Sequence, residues 1–312
     1  MRPAARRAHP GDRGTRGRGA AGALVVASVL WGTTGTAASL LPTNISPLTT
    51  GAATMGVGGL LLAALAPRGS AMLVRDASIR PWVLLGALGV FVYPLAFYSA
   101  MQLAGVAVGN VVALGSGPLF AALLEWALER RRPTRRWAAA TAAAIVGIAV
   151  LASTAHLGAA ASNPPLGVGL GLLAGAAYAT YSYAASRAMS AGSSNRAVMG
   201  SMFGCGALLL LPVFVVGAPS LVQSGLTVMV TAYLIVGPMF VAYLFFGFAI
   251  RIVRSSVATT ITLLEPVVAA VLAVAIVGER LPPVGWAALA LVLCGVLVTA
   301  LPPGPGARRV PR

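Results

Sequence analysis

The chain has 312 residues, 58% hydrophobic and only 9% charged, where soluble domains carry roughly 25% charged residues. So little charge cannot cover a water-facing surface, so part of the solvent must be lipid. The length leaves room for ten spans of about 20 apolar residues each and for no sizeable soluble domain besides.

Residues 1–19 are polar, rich in Gly and Pro, and contain six arginines; the composition predicts a disordered tail. The apolar run after it, about 20–41, is too long for the core of a cleaved signal peptide, so it reads as a retained first helix. Further apolar runs follow at about 47–66, 81–102, 106–128, 137–155, 166–186, 197–216, 226–250, 255–276 and 283–301, and residues 302–312 form a C-terminal tail. None of the runs shows the period-two polarity of a barrel strand. The predicted fold is therefore an all-α integral membrane protein with ten transmembrane helices.

The net charge of +16 comes from arginine, since the chain has no lysine. The arginines sit in short segments between apolar runs, without interleaved aromatics, which argues against nucleic acid as a partner. Arginine-rich short loops face the cytoplasm. With the N-terminus inside, cytoplasmic segments hold 21 of the 22 arginines and external loops hold only Arg280. This predicts cytoplasmic N- and C-termini, and the Arg, Ala, Gly and Pro bias suggests a bacterial plasma membrane.

Residues 108–151 align with 257–300: Pro118 falls on Pro266, Trp137 on Trp286 and Gly147 on Gly295, at an offset of 148–149. That is close to half the chain, so the pattern is an internal duplication with five spans per unit, 20–156 and 166–301. An odd number of spans makes the second unit enter the membrane in the opposite sense, as in transporters with inverted repeats and a site at the repeat interface.

Four stretches then carry a resemblance: Trp31-Gly32, the run Gly169 to Arg187, Leu264-Glu265-Pro266-Val267-Val268-Ala269, and Gly278-Glu279-Arg280-Leu281. In order and spacing the chain resembles the EamA-like repeats of the drug/metabolite transporter superfamily from residue 20 to 301. It departs from the family where Glu129-Arg130-Arg131-Arg132 stands in place of Gly-Glu-Arg. The resemblance implies export or uptake of a solute by alternating access and no one substrate; the leading expectation is a transporter of a small organic solute that exports an amino acid, metabolite or drug.

Six acids are present, and only Glu265 lies deep within a span, about ten residues from each end. At that depth an acid costs roughly 3 kcal/mol on insertion scales and should face the bundle interior or a cavity. It is suited to exchange a proton or to bind solute; a structural carboxyl bonded to a neighbouring helix is the alternative. Thr259 and Thr262 border its face. Pro266 and its repeat mate Pro118 each free a mid-membrane carbonyl. Asn110 stands two turns before Gly117, the mate of Glu265. Glu125 reads as an interfacial ion-pair residue or a pathway acid, and Glu279-Arg280 as an external loop pair. Tyr178, Tyr181 and Ser182 share one helix face. With Tyr93, Tyr98, Tyr243 and the mid-span Trp31, they are candidates to line a pathway for an amphiphilic solute, or to anchor and pack.

Cys205 and Cys294 lie in apolar runs and His9 and His156 outside them, giving no metal-ligand spacing. No phosphate-binding loop exists, and without lysine none can be completed, so no cofactor is expected and any energy source is an ion gradient or the solute's own. The scarcity of His and Asp argues against an enzyme, and one Glu is not the charged ring of a channel. Gly171/Gly175 and Gly200/Gly204 fit close helix packing and allow a homodimer without requiring one.

Overall fold

The computed structural model describes residues 10–130, 135–154, 162–250, 252, 258, 261–262 and 264–300, and the description below concerns these. Among them there are helices and no strands, as lipid demands of a chain that must satisfy its backbone internally. Helix α1 runs Pro10–Gly32 and continues, after a turn at Thr33, as Thr34–Ser39. It reaches back into the Arg-rich stretch whose composition predicts no order. Its four glycines, Gly11, Gly14, Gly17 and Gly19, disfavour a helix, but the stretch only prolongs one already formed, and elongation costs far less than nucleation.

The chain continues through α2 (Pro47–Ala64), α3 (Arg80–Ala104), α4 (Val106–Glu129), α5 (Arg135–Thr154) and α6 (Pro164–Ser190). It ends with α7 (Asn195–Leu221), α8 (Gly225–Ala249), α9 (Leu264–Val277) and α10 (Pro283–Ala300). A short amphipathic helix, Pro67–Arg75, lies between α2 and α3. Six helices, namely α1, α2, α3, α4, α7 and α8, are long and apolar enough to cross a membrane. Shorter apolar stretches lie in α5, α9 and α10. The 27-residue α6 is diluted by Gly, Ser and Tyr.

Local chemistry sets several helix starts. Ser46 Oγ accepts from Leu48 N at 3.2 Å before Pro47, and Asn163 Oδ1 accepts from Leu166 N at 3.3 Å before Pro164. Ser224 and Thr227 form a reciprocal capping box. Ahead of α3, Asp76 Oδ1 accepts from the Ser78 hydroxyl at 2.7 Å and from its N–H at 2.9 Å. These bonds, the hydroxyl foremost, hold the Asp76 carboxyl below its ordinary range.

The outer surface is apolar where a soluble protein's would be polar. Leu208, Val215 and Val216 on α7, and Met229, Val236 and Phe248 on α8, are all exposed. Apolar surface of this extent marks contact with lipid or a partner.

Helix pairing relates the two halves. The main contacts are α3 with α6, α4 with α6, α3 with α7, α1 with α8, α1 with α9, α2 with α7 and α5 with α10. Exchanging each helix for the one five places along turns α3–α6 into α8–α1 and α4–α6 into α9–α1. The same exchange maps α2–α7 and α5–α10 onto themselves. Gly147 and Gly295, the aligned glycines, face each other's helix reciprocally. A methyl at Gly147 would lie 2.9 Å from the Ala288 carbonyl oxygen, and one at Gly295 2.7 Å from that of Ala140. The Gly171/Gly175 pair lets α6 lie against Val112 and Ser116 of α4, and Gly200/Gly204 faces Ser70 and Ala63. These spacings serve packing within the chain.

Candidate functional site: a cavity between the two halves

A cavity of about 690 Å³ lies between the halves. Its wall takes Trp31 from α1, Tyr93 and Tyr98 from α3, Pro118 from α4, Tyr178 and Tyr181 from α6, Tyr243 from α8, and Thr262, Glu265 and Pro266 from the α9 segment. Nine of the twelve predicted pathway residues thus surround one space, together with Ser182 and Tyr243.

The other three do not line it. Asn110 is fully buried in the packing of α4, and neither polar atom of its side chain has a hydrogen-bond partner among the described residues. Its neighbour Val111 lines the cavity, so Asn110 stands at the same depth on a face of α4 turned away from the cavity and into helix packing. Glu125 is exposed; the last turns of α4 run out beyond the wall, as Trp126 at 52% exposure also shows. Thr259 lies outside the described residues.

The wall is a connected series of rings. Trp31 meets Tyr243 at 5.4 Å between centroids, Tyr243 meets Phe203 at 5.3 Å, and Phe203 meets Tyr181 at 5.8 Å. Tyr181 meets Tyr178 at 5.1 Å and Tyr93 at 6.1 Å, and Tyr93 stacks on Phe97 at 5.2 Å. Helices α1, α3, α6 and α8 contribute rings to the wall, and the buried Phe203 of α7 joins Tyr243 to Tyr181 from behind it. Glu265 shares the cavity wall with Tyr93, Tyr178 and Tyr243. The Tyr98 hydroxyl donates to Thr54 Oγ1 at 3.2 Å, and Thr54 donates to the Thr50 carbonyl at 2.8 Å.

Sequence reasoning missed Thr54 and Met55, and Pro238 and Met239, all on the wall. They sit in two π-helical segments, Ala52–Val57 in α2 and Ile235–Val241 in α8. Such widened turns recur at functional sites because they re-aim side chains. Pro238, inside the second, was the available signal.

The cavity reaches one end of the bundle, where Leu65, Met189, Asn195, Arg196 and Ile250 line it. At that end the Glu129 carboxylate accepts from the Tyr183 hydroxyl at 3.0 Å and pairs with Arg187 at 3.6 Å. The Arg187 guanidinium in turn lies over the Trp82 ring at 5.4 Å.

The opposite end is packed shut, and no described residue of its loops lines the cavity. Leu41, Ile45, Leu221, Val230 and Leu234 form an apolar plug there, and Asn44 Nδ2 donates to Gln223 Oε1 at 3.1 Å. Glu279 also belongs to this end. Its carboxylate accepts from Val106 N and, at 3.0 Å, from Ala107 N. Instead of pairing with Arg280 in a loop, as the sequence suggested, Glu279 caps α4, because the free N–H groups and dipole of a helix start attract a carboxylate. Burial pushes its carboxyl above the ordinary range, and the bonds from Ala107 and Val106 oppose that.

Fold and cavity together define a polytopic membrane protein with a solute-sized chamber between its halves. The chain matches the EamA-like transporter family twice, over residues 19–153 and 165–301. It is 33% identical over 292 residues, 90% of its length, to the uncharacterized transporter YwfM of Bacillus subtilis (strain 168), of which it covers 93%. A protein crystal structure superposes with a TM-score of 0.59 at 25% identity, over 89% of this chain and 95% of its own. The chain belongs to the EamA-like transporter family. It is a multi-pass membrane transporter of small solutes and not an enzyme.

Proposed function

We propose that the protein is a secondary transporter that exports a small organic solute across a bacterial plasma membrane by alternating access, coupled to protons through Glu265. In this reading the ten helices are ten membrane crossings, arranged as two oppositely oriented units, 20–156 and 166–301, with both termini cytoplasmic. The exchange pattern of the helix contacts and the reciprocal Gly147 and Gly295 contacts support the inverted duplication. The arginine distribution supports the orientation. On that orientation the cavity opens to the cytoplasm, ready to load a solute for export.

The observation that carries the reading is the position of Glu265 on the wall of a chamber built from both halves that reaches one end of the bundle, with no described loop residue of the other end lining it. The chain has no lysine, and among the described residues the one basic side chain that lines the cavity is Arg196, at its open end. The chamber therefore suits an amino acid, metabolite or drug whose amino group faces the carboxyl and whose apolar body lies between the rings.

The test compares metabolites in cells and medium for strains carrying wild type, Glu265→Gln or empty vector, at equal membrane expression. The expected result is a basic or zwitterionic solute that wild type moves outward and Glu265→Gln does not, with movement that follows an imposed pH gradient. Equal movement by both proteins would make Glu265 structural and remove the proton coupling.

A further inference from the structure

The two ends of the bundle are sealed differently, and the difference turns on one carboxylate. Glu279 lies in the turn between α9 and α10, in the second half, and its two oxygens accept from the first two N–H groups of α4, in the first half. The joint is built around that carboxyl. Gly105, which precedes α4, has φ +93°, a conformation other residues rarely adopt, and a methyl there would sit 3.1 Å from Glu279 Oε1. On the far side of α4's first turn, a methyl at Gly35 of α1 would strike Val106 and Met101. The start of α4 is thus held by the carboxylate and by the end of α1 together.

We propose that Glu279 is the latch that keeps this end of the cavity shut, and that the cavity opens there when its carboxylate releases the N-terminus of α4. The inference rests on the transporter reading above. Each half ends its fourth helix near a Glu-Arg pair, Glu129-Arg130 at the end of α4 and Glu279-Arg280 after α9, one to two residues out of register at the repeat offset. At the open end Glu129 bonds to Tyr183 and Arg187 of α6. The acids that close α4 and follow α9 thus hold different partners at the open and shut ends, as expected of a two-state device resting in one state.

The test uses the full-length protein with Cys205 and Cys294 replaced by alanine and a single reporter, Leu114→Cys, on the cavity wall. A membrane-impermeant maleimide is applied to right-side-out and to inverted vesicles. Without substitution at 279, labelling should be fast from the cavity's open side and slow from the side bearing residue 279. Glu279→Gln gives up a charge-assisted bond and should speed labelling from the 279 side roughly tenfold, with no gain from the open side. Glu279→Asp, which keeps the charge on a shorter arm, should fall between. Unchanged labelling from the 279 side in Glu279→Gln would overturn the latch. So would an equal rise from both sides, which reports general loosening. Should Glu279→Ala fail to give a monodisperse protein, the Gln and Asp variants carry the test. A failed latch with solute movement intact in the metabolite comparison leaves the transporter reading standing. Absent solute movement with the predicted labelling shift removes that reading instead.

Discussion

Gly32 lies directly against Glu265. A methyl at Gly32 would sit 2.9 Å from the Glu265 carbonyl oxygen and 2.6 Å from Val268 Cβ. Two short motifs more than 230 residues apart, Trp31-Gly32 and Glu265-Pro266, therefore meet where α1 crosses α9. Both Trp31 and Glu265 look into the cavity from that crossing.

Gly32→Ala should push α1 away from α9 and misplace both side chains. Overpacking of this kind costs about 1–3 kcal/mol. The expected outcome is a lower unfolding temperature in detergent, and solute transport reduced by more than the loss of folded protein explains. Thermal unfolding and transport normalised to folded protein are the measurements.

The Tyr98 and Thr54 hydroxyls should be energetically coupled. Their bond joins α3 to the π-helical part of α2 on the cavity wall. A double-mutant cycle of Tyr98→Phe and Thr54→Val should give a coupling of about 0.5–1.5 kcal/mol. A coupling near zero would mean that the two positions act independently.

Gly175→Leu should be among the most damaging single changes in the chain. A methyl there would already lie 2.7 Å from the Ala113 carbonyl oxygen and collide with Ser116. Because backbone cannot move aside as a flexible side chain can, α6 must separate from α4. Membrane expression or monodispersity should fall sharply, while Gly169→Leu on the same helix, where a methyl meets nothing within 4 Å, should be tolerated.

Orientation is tested by single cysteines at positions 163, 220 and 134. An impermeant reagent added outside cells should label the first two and spare the third. The reverse pattern would place the cavity mouth outside and turn the proposed loading direction around.

Much of the site was legible in the chain, for a physical reason: a membrane makes polarity expensive. An acid in the middle of an apolar run, prolines at matching places in two runs and a tryptophan away from the membrane edge each need a cause, and the cavity wall holds Glu265, Pro118, Pro266 and Trp31. Asn110 was as conspicuous by the same rule but lies buried in packing. Glu125 was conspicuous too and lies exposed near a helix end. Polarity in a span says that a residue is costly, not which neighbour it faces. Thr54 and Met55 gave little signal at all, because their placement depends on a local change of helix winding.

By itself the sequence determined that the chain lives in lipid, that it is helical and duplicated, and which end of each helix carries positive charge. Lipid residence and helix follow from composition summed over about twenty residues, where partition free energy dominates, and the duplication from Pro, Trp and Gly landmarks that recur at an offset of 148–149. Only the tertiary structure decided that rings from four helices meet around one cavity, that the cavity reaches one end of the bundle, and that Glu279 caps a helix of the other half. Those facts depend on contacts between residues far apart in the chain. Such contacts are set by the close packing of helices at glycines such as Gly32, Gly147, Gly175 and Gly295, and no local window of sequence contains both partners.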